Sequence, residues 1–140
     1  MFTDVQDVLQ NYRDAVYEQD VEKFLLSYAP NVHVFDCWEE WEYHGIEQWS
    51  TMVTEWFRRL AEEEMKLGVE IHKEAGKENA EMAYVHGSVS FAALDQTGKE
   101  LRKMSNRFTF VMEKIDDSWR IVHEHSSLPI DMESGKAIFG

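Results

Sequence analysis

A carboxylate set among apolar neighbours is suited to moving protons near neutral pH, because burial raises its pKa toward the working range. Asp36 meets that description, since it stands near the end of the run NVHVFDC, residues 31–37, whose other members are largely valine, histidine and phenylalanine. It reads either as a general base facing a cavity or as a rim carboxylate that caps the next loop or pairs with Arg107. Near the C-terminus, His123 and His125 stand two apart in WRIVHEHSS. In an uninterrupted strand they share a face with Trp119 and Ile121, and Glu124 takes the other. The two histidines read as a pocket acid or base, as half of a metal site, or as hydrogen-bonded structural residues. His86 and Asp36 are candidate co-ligands, yet spacing fixes no third ligand, so no metal and no organic cofactor is expected.

Arg107 precedes Phe108 and Phe110 in RFTF, and alternation puts its side chain opposite theirs, toward a concave pocket or a subunit contact. An arginine aimed into a cavity needs an anion, supplied by Asp36, by a ligand or by another strand. Trp38, Trp41 and Tyr43 crowd the segment WEEWEYHG amid Glu39, Glu40, Glu42 and Glu47. Such rings could cover a hydrophobic ligand, stack on a cation or bury in a dimer contact. Trp56 joins them as a ligand contact, although its stripe with Trp49 and Phe57 also reads as core packing. Cys37 has no basic neighbour in sequence and reads as inert.

These residues need elements to hold them. Val5, Val8, Leu9, Tyr12 and Val16 recur at helical spacing behind Thr3 or Asp4, which predicts a helix over 3–18. Asp20 caps a short second helix with the face Val21, Phe24, Leu25 and Tyr28, and Pro30 ends it. A strand over 31–37 follows, then the tryptophan-rich segment as a loop. Ile46, Trp49, Val53, Trp56, Phe57 and Leu60 predict a third helix over 46–64. Beyond Gly68 the period changes to two, giving strands over 68–74, 80–94, 101–115 and 118–127 with AGKEN, DQTGK and DD as connectors. Helices followed by hairpin-linked strands predict an α+β layer arrangement. Strands this long must twist and curl, so the antiparallel sheet should form a cone with an interior.

The 140 residues suit one domain over 1–140, with 130–140 as a C-terminal tail whose order depends on docking. Hydrophobic residues at 44% and aromatics at 13% exclude a disordered chain. A formal charge of −13 makes nucleic acid and membrane surfaces poor partners. One cysteine cannot close an intrachain disulfide, and the first residues lack the basic start and apolar run of a signal peptide, so a cytoplasmic protein is expected.

The element order, with the strings YRDAVYEQDVEKFLLSYAPNVHVFD and RFTFVMEKIDDSWRIVHEHSSLP, resembles the nuclear transport factor 2-like superfamily over residues 3–129. Within it the chain is similar to the SnoaL-like and ketosteroid isomerase-like branch, and to the association domain of calcium/calmodulin-dependent protein kinase II. The isomerase employs an aspartate base with a tyrosine and a protonated aspartic acid that hold an oxyanion. The resemblance implies Tyr12 as that tyrosine, eight positions before Asp20, and Asp36 as that base, nine before Gly45. At the third position it implies Arg107, with Asn106 one residue away. An arginine there departs from the isomerase pattern and would favour an anionic ligand.

Two functions follow from this reading, with enzyme status open. One is a small-molecule pocket that catalyses acid–base chemistry as an isomerase, cyclase or dehydratase, using Asp36, Tyr12, Arg107 and His123, with His125 lining the pocket. The other is a non-catalytic ligand-binding or oligomerisation module, a homodimer through the sheet with Phe91, Phe108, Phe110 and Val122 in the contact.

Overall fold

The computed structural model describes residues 1–140. Helix α1, Val5–Glu18, starts at Asp4, whose side chain accepts from the Gln6 N–H while Asp7 caps back onto the Asp4 N–H. It buries Val5, Val8, Leu9, Tyr12 and Val16 along one stripe. Gln19 closes it in the left-handed region at φ 58°. Asp20 caps α2, Val21–Leu25. Strand β1, Tyr28–Phe35, begins earlier than the proline suggested. Pro30 fits because β1 runs near the sheet margin, where β2, Tyr43–His44, pairs with it only over His33↔His44 and Val34↔Tyr43. That two-residue strand interrupts the segment expected to be all loop. Helix α3, Gly45–Glu62, buries Trp49, Val53, Phe57 and Leu60.

Strands β3, Lys66–Glu78, β4, Met82–Leu94, β5, Glu100–Ile115, and β6, Ser118–Ser127, complete one six-stranded sheet of order β2-β1-β6-β5-β4-β3. Its strands pair antiparallel except β1 with β6, which run parallel. β3 continues through most of AGKEN, expected as a connector, by way of a register shift between Lys73 and Ala75. Gly87 faces that irregularity, and a Cβ on it would lie 2.0 Å from the His72 carbonyl oxygen. The α+β cone is therefore as expected. Helices α1 and α3 close its concave side, and 25 buried residues from both layers make one core.

A second irregularity decides what the last strand presents. Val111 is opposite His123, but Met112 is opposite Ile121, so Val122 is an extra residue, a β-bulge. Before it the odd-numbered Trp119 and Ile121 are buried; after it the even-numbered Glu124 and Ser126 are. The face of the strand is exchanged at that point.

Candidate functional site

Between the helices and the concave sheet face lies a cavity of about 550 Å³, a size typical of small-molecule sites. Its inner wall combines Tyr12 from α1, Trp49 and Trp56 from α3, and Phe108 and Phe110 from β5. The polar groups on that wall include Asp36 just past β1, Asn106 on β5, and Glu124 and Ser126 on β6.

Asp36 and Glu124 differ in their support. The Ser126 hydroxyl donates to Asp36 Oδ1 at 2.9 Å and itself accepts from the Cys37 N–H at 2.9 Å. Burial pushes the Asp36 carboxyl upward, against the opposing pull of Ser126 and of the Cys37 and Trp38 N–H groups. Glu124 is 5% exposed and receives the Tyr28 hydroxyl at 2.5 Å. Burial drives its pKa up to about 8, Tyr28 pulls the other way, and the Asp36 charge adds to the rise. Near neutral pH, then, Glu124 is held as the neutral acid while Asp36 is the more readily ionised member of the pair. Tyr28 occupies one Glu124 oxygen as acceptor, which leaves the other to carry the proton.

Tyr12 is 6% exposed, and burial, followed by Glu124 and Asp36, raises its phenol well above the ordinary range. It stays a neutral hydrogen-bond donor. The Tyr43 hydroxyl and Trp49 Nε1 are buried with no well-formed hydrogen bond, the first lying toward the Glu40 N–H and the second toward the Tyr28 hydroxyl, and both residues line the cavity. Asn106 spends its Nδ2 on the Arg107 carbonyl oxygen at 3.0 Å.

Of the residues singled out from sequence, Tyr12, Asp36, Trp38, Tyr43 and Trp56 come together on this cavity. Four others do not. Arg107 is exposed on the convex side, where its Nε donates to Ser127 Oγ at 3.1 Å. Alternation correctly opposed it to Phe108 and Phe110, but the rings take the interior, because burying phenyl surface is favourable and burying an unpaired guanidinium is not. Asn106 fills the neighbouring inward position. His123 and His125 also face outward, turned there by the bulge at Val122; His123 Nδ1 donates to the His33 carbonyl oxygen at 2.7 Å. Trp41 is 88% exposed in the loop after β1 and touches no cavity wall. Phe91, Phe108 and Phe110, assigned above to a dimer contact, line the cavity instead.

Glu124 is the residue that sequence reasoning missed. The alternation that should have found it was broken by one inserted residue, and the available signal was a lone glutamate in an otherwise apolar and histidine-rich strand.

At the mouth, Glu39, Glu40, Glu55 and Glu63 outnumber Arg59 and Arg102, and Arg59 Nε is 3.3 Å from Glu55. Trp38 stacks on Phe139 at 5.6 Å, which brings the C-terminal segment against the same rim. The segment folds back through a bridge between Ile130 and Ala137. No helix is long and apolar enough to cross a membrane.

Several solved structures share this architecture at low sequence identity. An NTF2-like protein of unknown function from Pseudomonas putida KT2440 superposes with a TM-score of 0.77 at 18% identity, covering 96% of this chain and 91% of that one. A putative calcium/calmodulin-dependent protein kinase II association domain from Xanthomonas campestris gives a TM-score of 0.72 at 22% identity, with 88% and 84% covered. An uncharacterised protein with a cystatin-like fold from Caulobacter vibrioides gives 0.68 at 18%, with 88% and 85% covered. Among curated proteins there is no significant match. The family model described as SnoaL-like domain matches residues 5–131. With that match over nearly the whole fold, the chain belongs to the SnoaL-like domain family.

Proposed function

We propose that the cavity takes a small, mostly apolar molecule carrying a carbonyl oxygen and moves a proton on it. Asp36 serves as the base, and Glu124 and Tyr12 donate hydrogen bonds to the oxygen on which negative charge develops. The observation that carries this reading is the pairing of two carboxyls in unlike environments on one cavity: burial raises both, but Asp36 is drawn back by Ser126 and the Cys37 and Trp38 N–H groups, whereas Glu124 is driven up to about 8. A base and an acid thus coexist at one pH.

The acidic mouth and the outward Arg107 argue against an anionic substrate and for an uncharged one. Ring-lined walls supply apolar contact, so binding should be driven by surface burial and oriented by few polar groups.

The test is exchange of carbonyl α-protons into D₂O, followed by NMR, for a panel of uncharged cyclic ketones and β-hydroxycarbonyl compounds. Exchange that the protein accelerates and that Asp36→Asn abolishes is the expected outcome. Acceleration left intact in Asp36→Asn would remove Asp36 from the role. If no compound binds, as read from fluorescence of Trp38, Trp49 and Trp56, the cavity reading itself fails.

A further inference from the structure

On the convex side, away from the cavity, three potential metal ligands converge. His33 on β1 and His44 on β2 are direct partners in the antiparallel register, and directly opposed residues project to one face. Their rings stack at 4.3 Å with 11° between planes. Glu42 lies two residues before His44 and comes to the same face; its Oε1 is 2.7 Å from His33 Nε2 and 2.6 Å from His44 Nε2. The three ligand atoms lie within 4.8 Å of one another.

The scaffold behind them is firm on one side and adjustable on the other. His33 is held by the parallel pairing with β6, where His123 is its partner and gives its Nδ1 hydrogen to the His33 carbonyl oxygen. Glu42 ends the loop after β1 and is half-buried, so its carboxylate can shift without disturbing the core. Metal bonds of about 2.0–2.1 Å in tetrahedral array separate ligand atoms by roughly 3.3 Å. Opening the cluster to that spacing requires Glu42 to withdraw by under an ångström and the exposed His44 ring to turn out of its parallel stack on His33, so that the two in-plane nitrogen lone pairs converge on one point.

We infer that His33, Glu42 and His44 form a binding site for one borderline divalent transition-metal ion, such as Zn²⁺, Co²⁺ or Ni²⁺. Two imidazole nitrogens and one carboxylate oxygen match the donor preference of these ions, whereas Mg²⁺ and Ca²⁺ favour all-oxygen sets. Three protein ligands leave a coordination position for water. A carboxylate oxygen can only accept, so each imidazole now presents Nε2–H to Glu42. The ion takes the place of those hydrogens, and each ring moves its proton to Nδ1 or, if doubly protonated, releases one to solvent. A chain of formal charge −13 raises the local concentration of divalent cations around the site.

The experiment uses untagged, chelator-treated protein titrated with Co²⁺, followed by visible absorption, and with Zn²⁺, followed by calorimetry. About one equivalent should bind saturably with ligand-field bands of low coordination number. His44→Ala and Glu42→Gln should each weaken binding roughly tenfold or more. His72→Ala, which removes an exposed histidine 3.4 Å from Glu70 on β3, should leave it unchanged. Circular dichroism confirms that the variants fold, and Glu42→Gln, which keeps the shape of the side chain, decides the matter if His44→Ala does not. Absence of saturable binding, or equal loss in His72→Ala, overturns the proposal and marks the cluster as a hydrogen-bonded clasp of β2.

Discussion

Ionising Glu124 inside the cavity carries a cost that the unfolded chain does not bear. Its pKa of about 8 lies above the ordinary carboxylate value, so between the two values the folded state holds a proton that the unfolded state has lost. The sign is therefore that Glu124 lowers stability as pH rises from about 4.3 to 8, with little further change beyond. Replacing it by glutamine removes the titrating group and keeps the acceptor for Tyr28. Glu124→Gln should gain on the native protein by about 4 kcal/mol between pH 5 and pH 9. Urea midpoints at the two pH values measure it; an unchanged difference would mean that Glu124 ionises freely. Asp36 is shifted in the same direction, so the comparison must be made between the two proteins at each pH and not along one curve. Several cavity residues were legible in the sequence: Asp36, Trp38, Tyr43 and Trp56 from residue type and position, because an apolar setting for a carboxylate and ring-rich segments are local properties, and Tyr12 only through the family resemblance. Arg107 was misplaced because alternation fixes which residues oppose one another and not which side is inside.

At the level of elements, two irregular positions in the sheet do most of the positioning. The extra residue Val122 turns Glu124 and Ser126 inward, and Ser126 then reaches Asp36. No periodicity rule anticipates a single inserted residue, since hydrophobic valine suits either face, and His123, Glu124 and His125 are all polar. The β3–β4 irregularity is of the other kind, a close backbone approach that only glycine permits. Gly87→Ala would drive a Cβ against the His72 carbonyl and the Glu74 N–H. It should cost about 3 kcal/mol, visible as a lower urea midpoint, because the obstructing atoms are backbone and cannot rotate aside. A milder change tests the first helix. Asp4→Ala removes the acceptor for the Gln6 N–H while leaving the residue-4 N–H to donate to Asp7, and a loss of about 1 kcal/mol is expected in the same assay. Helix boundaries were close to the expected ones for this reason: caps such as Asp4 and Asp20 are written in the residues themselves. β2 was not, because two residues carry no period.

For the molecule as a whole, charge is the property that sequence stated most plainly. Twenty-seven acidic residues against fourteen basic ones make the folded chain repel itself. Salt screens that repulsion, but it also weakens surface ion pairs such as Lys23–Glu18 and the Arg58–Glu55 contact. Exposed pairs of this sort contribute at most about 1 kcal/mol each, whereas the excess of thirteen negative charges acts throughout the surface. Screening of the excess should win. Raising NaCl from dilute buffer to physiological strength is expected to increase Tm by about 3 °C, measured by calorimetry; a fall would mean that ion pairs matter more than net charge here.

The parallel pairing of β1 with β6 has an implication for how the chain is made. Asp36 and Ser126, which share a hydrogen bond, are 90 positions apart, so a ribosome releases the first long before the second. During that interval the edge of β1 that β6 will pair with lacks its strand partner. Closing so distant a contact is slow and leaves sticky surface uncovered. Biosynthesis of this protein should thus depend on holding factors until the final hairpin emerges, because Asp36 meets Glu124 and Ser126 only once β6 has been made.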